Sequence, residues 1–312
     1  MANVYTSLAD LVKINDMNLA DLEVSDLLDG APLLKALAAD VASNGTEHKY
    51  LKETGAPVVG FRAANDGREN KASADTLVTI TLKILDASNA VDLALANGYR
   101  KGSEAYIARE SMRHLKAAFA AAEAQLISGV GADAGGFVGL CDATTIDAIA
   151  DAMVINATGS TASTGSSVIA IRSNNDGNDC TLITGNDGEI SIGESVVNRL
   201  AGATGFYPAY FTPISGWLGL QIGSAYSVGR ICNLTAQSGK TLTDALISQL
   251  LALFPVGKEP NMLVMSRRSR QQLQSSRTAT NATGAPAPIP TESFGVPILA
   301  TDGMPNTQTI LS

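Results

Sequence analysis

Few residues in this chain have the types and spacing to do chemistry. Ser238-Gly239-Lys240-Thr241 follows a strand-like run ending at Leu234 and precedes a helical run, the setting in which a glycine-rich loop and a lysine cradle nucleotide phosphates. The full pattern needs a glycine five positions before Gly239, where Leu234 stands. The later strand-like run Met262 to Met265 leads into Ser266, where a magnesium-binding Asp would be required. Histidine offers little, because His48 and His114 alone cannot supply a catalytic triad or a His-rich metal site. Cys141, Cys180 and Cys232 are odd in number and far apart, so they read as reduced thiols of a cytosolic protein, with neither a disulfide framework nor metal-ligand pairs. The glycines between Gly129 and Gly139 invite a dinucleotide fingerprint, which needs a strand before it and a helix after. Here the helix comes first, and backbone turning with close packing is the better reading. Arg267, Arg268, Arg270 and Arg277 are able to touch phosphate, but no aromatic residues interleave with them to stack bases. Such a run more often forms a solvated helix face or an inter-subunit salt bridge. No catalytic residue, metal ligand or cofactor is predicted.

The elements that would position these residues say more than the residues do. With 312 residues the chain can bury a real core in one to three domains, and its net charge of -8 argues against tight electrostatic binding to nucleic acid or anionic membranes. Enclosing nucleic acid remains compatible with that charge. Residues 1 to 30 carry Asp10, Asp16, Asp21, Glu23, Asp26 and Asp29 with no basic start and apolar block, so no signal peptide is expected. No window approaches the run of apolar residues that a membrane-spanning helix needs.

Tyr99 to Gly129 reads as one helix, roughly 40 Å long at ~1.5 Å per residue. Ser103 is placed to cap it, Glu104 lies in its first turn, and Gly129 follows its last periodic residue. Ala108, Met112, Leu115, Phe119, Ala122 and Leu126 form one stripe, with Arg109, Glu110, Arg113, Lys116 and Glu123 mostly off it. Before this helix, Tyr50 to Arg62 and Thr76 to Ile84 read as a two-stranded ribbon with a charged, turn-rich tip, Asn65 to Lys71. Val78, Ile80, Leu82 and Ile84 alternate onto one face. A ribbon of two strands barely holds together in water. It therefore either folds back on its own domain or lies across a neighbouring chain. The leading leucine segments, Leu8/Leu11/Val12, Leu19/Leu22 and Leu33/Leu34/Leu37/Val41, are too short to stand alone and face the same choice.

Beyond the helix, strands are expected at Val168–Arg172, Thr181–Thr184, Glu189–Ile192, Tyr207–Thr212, Trp217–Ile222 and Tyr226–Leu234. A helix over Thr241–Phe254 should turn Leu242, Ala245, Leu246, Gln249, Leu250 and Leu253 inward. Strand Asn261–Met265, a basic helix opening at Ser266, a Thr/Ala/Pro loop over 278 to 293 and a final strand from Phe294 complete the chain.

This order of parts resembles the major capsid proteins of tailed phages with the Hong Kong 97-like fold. Tyr226-Ser-Val-Gly-Arg230-Ile-Cys-Asn233-Leu is similar to a strand of those proteins ending in Arg-Ile-x-Asn. Leu263-Val-Met-Ser-Arg267-Arg-Ser-Arg-Gln-Gln-Leu273 resembles their strand-then-helix segment, with Ser266 where Asn is commoner. Phe294-Gly-Val-Pro297-Ile-Leu-Ala-Thr-Asp302 resembles their Gly-Ile-Pro-Ile…Asp strand. The resemblance implies an α+β fold with an N-terminal arm over 1–45 and an extended β-hairpin loop over 46–92. A spine helix with part of the peripheral domain spans 93–140. An axial domain with strands returning to the peripheral domain spans 141–312. It also implies a non-enzymatic shell subunit of a double-stranded DNA phage, assembled in the host cytoplasm as hexamers and pentamers. A separate scaffolding protein, a portal and decoration proteins would be its partners, and no membrane is involved. An arm of this length is expected to be too short for a built-in scaffolding segment, which implies a separate scaffolding protein or assembly without one, and no lysine–asparagine cross-link partner is identified for Lys71. Candidates for inter-subunit contact are Asp66, Arg68, Glu69 and Lys71 at the tip, Val78, Ile80 and Leu82 on the ribbon, and Arg267, Arg268 and Arg270 on the basic helix. An encapsulin-like compartment, a nucleotide-dependent enzyme and a β-rich adhesin or tail component are the alternatives.

Overall fold

The computed structural model describes residue 8, residues 13–14, 27–174, 178–279 and 285–312. The leucine segments around Leu11/Val12 and Leu19/Leu22, residues 175–177, and residues 280–284 of the expected Thr/Ala/Pro stretch lie outside the described residues. Among the described residues, the short strand β1 (Lys13–Ile14) is followed by the one-turn helix α1 (Pro32–Ala36), where Pro32 occupies the first helical turn that tolerates a missing N–H. Strand β2 (Ala39–Val41) follows. Leu27, Leu28, Leu33, Leu34 and Leu37 are all buried in the chain's own core. Burying the last three alone contributes roughly 5–9 kcal/mol before the entropy of ordering them. The leucines between residues 27 and 37 thus pack into the chain's own core.

The ribbon is β3 (Glu47–Gly55) paired antiparallel with β4 (Ala74–Thr81). It leads into β5 (Lys83–Asp86), β6 (Asn89–Asp92) and helix α2 (Leu93–Asn97), which Asp92 caps by accepting from the N–H groups of Ala94 and Leu95. The long helix α3 (Ser103–Ser128) comes next; its N-cap is Gly102, not Ser103, and Gly102 makes no side-chain cap. Leu115, Phe119, Ala122 and Leu126 of the expected stripe are buried, together with Ile127 and, off the stripe, Glu123 and Gln125. The C-terminal half of α3 is thus core and its N-terminal turns are not.

Two larger sheets complete the architecture. Strands β7 (Val154–Asn156), β8 (Ser166–Ile171), β14 (Val228–Leu234), β15 (Met262–Met265), β16 (Glu292–Ser293) and β17 (Val296–Ala300) form one, in the order β16-β17-β15-β8-β14-β7. Helices α4 (Asp244–Leu251) and α5 (Arg267–Ala279) accompany it. The other is built around β13 (Ile214–Ile222), which pairs with β9 (Cys180–Thr184), β10 (Glu189–Ile192) and β5, while β1 and β2 join in parallel at the two ends. A hairpin of β11 (Val196–Gly202) and β12 (Gly205–Thr212) extends to β6 as a three-stranded sheet. Every residue of β8, β9, β14 and β15 is buried, as strands covered on both faces require.

Two expected faces are corrected. Ile84 does not continue the apolar face of Val78, Ile80 and Leu82: it is exposed, and Leu85 turns inward instead. The ladder changes partner at Leu82, from β3 to β13, and the one unpaired residue there flips the side-chain alternation. In α4, Ile247 and Leu250 are buried while Ala245 and Gln249 are exposed. That helix starts at Asp244, capped by the Thr243 hydroxyl accepting from Leu246 N–H, so Leu242 precedes the helix and cannot set its phase.

Candidate assembly interface

The ribbon has two unlike faces. On one, His48, Tyr50, Val78 and Ile80 lie over the chain's own sheet. The His48 imidazole Nε2 lies 2.8 Å from Gln221 Oε1, the Tyr50 hydroxyl donates to the Ile222 carbonyl at 3.3 Å, and Glu53 N–H reaches the Gly223 carbonyl. Lys258 pairs with the Glu53 carboxylate at 2.7 Å and clasps the base. The opposite face carries Leu51 directly across from Leu77, and these are 60% and 63% exposed. Beyond Gly55 the two arms meet again in the described structure through the Val58–Lys71 bridge. Val58 and Val59 are exposed there, and Phe61 is wholly so. An apolar row of this kind on a projecting ribbon is the surface type that protein partners cover.

The sequence candidates fall at different depths. Asp66, Arg68, Glu69 and Lys71 are exposed at the tip, where Asn65 takes the left-handed conformation (φ 62°) that suits Asn in a turn. Arg68 folds back toward the carbonyls of Phe61 and Val59. Val78 and Ile80 are half-buried against their own sheet. Leu82 is sealed inside the subunit: a Cβ on Gly219 would stand 2.5 Å from one of its methyls and a Cβ on Gly185 2.9 Å from the other, so these two glycines make its niche. Leu82 is therefore out of reach of the subunit surface, whereas Leu51 and Leu77, which the alternation pattern did not single out, face outward. Of the arginines, Arg267 pairs with Asp302 at 2.7 Å on the surface. Arg268 donates to the carbonyls of Thr164, Leu234 and Asn306, and burial lowers its affinity for the proton. Arg270 is half-buried.

The motif residues serve as internal fasteners. Arg230 is buried and donates to Ser167 Oγ (2.9 Å), the Ile146 carbonyl (3.2 Å) and Gln308 Oε1 (3.5 Å). Asn233, left-handed at φ 57°, donates to the Leu311 carbonyl and accepts from Leu311 N–H at 2.8 Å, so the segment 308–311 is stitched to β14. Ser266 heads α5, accepting from Ser269 N–H and donating to Asn306 Oδ1. Glu123 is a buried carboxylate held by Leu33 N–H (2.7 Å), Leu34 N–H (3.2 Å) and the Thr301 hydroxyl, and desolvation raises its pKa. It joins α1, α3 and the end of β17.

The tempting chemical residues are also occupied. Lys240 donates to the Thr158 hydroxyl, and Gly239 turns left-handed (φ 73°) ahead of α4. His114 is exposed on α3. Burial raises the pKa of all three cysteines, which keeps the thiols protonated and poorly nucleophilic. Gly129 and Gly139 pack backbone to backbone: a Cβ on Gly139 would lie 2.4 Å from the Gly129 nitrogen. Among the described residues no group of His, Cys, Asp and Glu is placed to hold a metal, and no helix is long and apolar enough to cross a membrane.

The fold is that of a phage shell subunit. It matches a chain of the bacteriophage Epsilon15 structure over 88% of this chain and 87% of that one, at 18% identity and a TM-score of 0.60. The chain belongs to the family Major capsid protein GP7, whose sequence model matches residues 20–309. Looser likenesses are to the bacteriophage JBD30 capsid (12% identity, 86% of this chain and 89% of that, TM-score 0.49) and to the SrpI encapsulin of Synechococcus elongatus PCC 7942 (9%, 67% and 90%, 0.44). No curated protein matches.

Proposed function

We propose that this major capsid protein builds an icosahedral shell of hexamers and pentamers around packaged double-stranded DNA, with no catalytic role. Membership of the capsid family across residues 20–309 carries the reading. The ribbon supports it, since its base is fastened to its own sheet while Leu51, Leu77, Val59 and Phe61 point to solvent. In this reading residues 1–45 act as the arm, 46–92 lie over an adjacent subunit, 93–140 form the spine and part of a peripheral domain, and 141–312 form the axial domain. The tip residues Asp66, Arg68, Glu69 and Lys71 and the helix residues Arg267, Arg268 and Arg270 sit at or near subunit boundaries. Closure requires one chain to occupy non-identical environments, and the distal ribbon absorbs the difference. A net charge of -8 suits a lining that must later release its genome. Scaffolding, portal and decoration proteins complete the assembly in the host cytoplasm.

Electron microscopy of the expressed chain, alone and with a co-expressed scaffolding protein, tests this. Closed shells are expected. Shells that copurify with enzyme cargo in place of nucleic acid would point to a compartment, and small soluble oligomers under every condition would refute the reading.

A further inference from the structure

Phe294 sits at the tip of the β16–β17 hairpin, where Ser293 pairs with Val296 and the two residues between them, Phe294 (φ 51°) and Gly295 (φ 79°), are both left-handed. That turn favours Asn-Gly or Gly-Gly, and a bulky aromatic in its first position is strained. Phe294 is 62% exposed, so packing within the subunit does little to offset that strain. The stem beneath it is held firmly. Ser293 donates to Asp244 Oδ1 at 2.7 Å, Arg277 clamps both oxygens of the same carboxylate at 2.7 Å, and Arg277 also reaches the Glu292 carbonyl. Hydrogen bonding to Arg277, with Ser293 adding to it, lowers the Asp244 pKa and so favours the charged form of this clamp. A strained, exposed aromatic on a stiffened stem is the arrangement of an interface anchor, whose ordering is completed before contact.

We infer that Phe294 is an anchor for contact between copies of this chain, inserting into an apolar recess on a neighbour during assembly. The inference rests on the shell-forming reading above. The choice of a second copy follows from charge as well as family. Identical subunits of net charge -8 repel, and the tip from Ser293 to Pro297 carries no charge, so it can meet an identical neighbour without adding to that repulsion.

Strain and contact make opposite demands on Phe294→Asn, which separates them. Asn accepts the left-handed conformation, so the isolated subunit should melt a few degrees higher than the parent, while shell yield or assembly rate falls several-fold. Phe294→Trp, which keeps a large apolar ring, should assemble nearly as the parent does. Phe294→Asn assembling at the parental rate and yield overturns the inference, as does a loss of assembly that merely tracks a lowered melting temperature. Normal shells of Phe294→Asn that fail only to bind an accessory protein would assign the ring to that partner instead and also overturn it. A parent chain that never associates would sink the shell-forming reading itself, an outcome distinct from these.

Discussion

Arg230 and Glu123 are buried ionisable groups that do structural work by different means. Arg230 sends donors to Ser167, Ile146 and Gln308, so replacing it with Met removes charge-assisted bonds and leaves acceptors unpaired. A loss of about 2–3 kcal/mol is expected, read as a lowered urea midpoint, with earlier proteolytic cleavage near 308–311 because the stitched segment loosens. Among the described residues Glu123 is held by two backbone N–H groups and a hydroxyl, with no cation against it. Its pKa is raised above the ordinary carboxylate value by desolvation. Between the ordinary value and the raised one, the folded chain holds a proton that the unfolded chain has released. Glu123's contribution is therefore fully present below the ordinary value and is lost as pH rises through the raised one. Asp244, whose pKa is lowered by Arg277, has the opposite slope: its contribution is present above the ordinary value and lost as pH falls through the lowered one. Glu123→Gln keeps an acceptor for the N–H groups and cannot titrate. Subtracting its urea midpoints from those of the parent across the acid range should leave a curve that falls with rising pH. A flat difference would show that Glu123 does not titrate with folding.

At the scale of elements, the ribbon divides into a fastened base and an open face, and the two should respond differently to substitution. Leu51 and Leu77 lie opposite each other with more than half their surface in water, so changing both to Ser should leave the subunit's melting temperature within a degree or two of the parent while impairing shells. Deleting Asp66–Lys71 should likewise give soluble subunits that assemble poorly. Normal shells from that deletion would remove any assembly role for the tip. The same stretch marks what could be read from the chain in advance. Thr76 to Thr81 alternates without interruption, so the strand and its inner face were legible, but the phase slip at Leu82 arises because the ladder trades β3 for β13, a partner about 130 residues away in sequence. The β11 strand was missed because Val-Val-Asn-Arg-Leu-Ala-Gly neither alternates nor runs apolar, and it forms by pairing with β12. Glu123 looked like a surface charge because helical periodicity assigns it a face, whereas the N–H groups that receive it belong to α1, about 90 residues earlier. Arg230 and Asn233 stood out as a motif, but their purpose rests on Gln308 and Leu311, which no local pattern links to them.

At the scale of the whole molecule, association must overcome repulsion between copies that each carry a net charge of -8. Two contributions compete as salt is added. Screening shortens the reach of that repulsion, with a Debye length falling from about 10 Å at 0.1 M to about 3 Å at 1 M, and it also weakens exposed ion pairs such as those the tip and helix arginines would make across a boundary. Apolar contacts of the kind proposed for Leu51, Leu77, Phe61 and Phe294 would not be weakened by screening. If the apolar row supplies most of the contact energy, the assembly rate followed by light scattering should rise with sodium chloride and level off as repulsion is screened. The tip deletion should then shift that curve without changing its direction. A rate that falls steadily with salt would place the main contact energy in charge pairs at Asp66, Arg68, Glu69 and Lys71, and would move the centre of the interface from the ribbon's apolar face to its end.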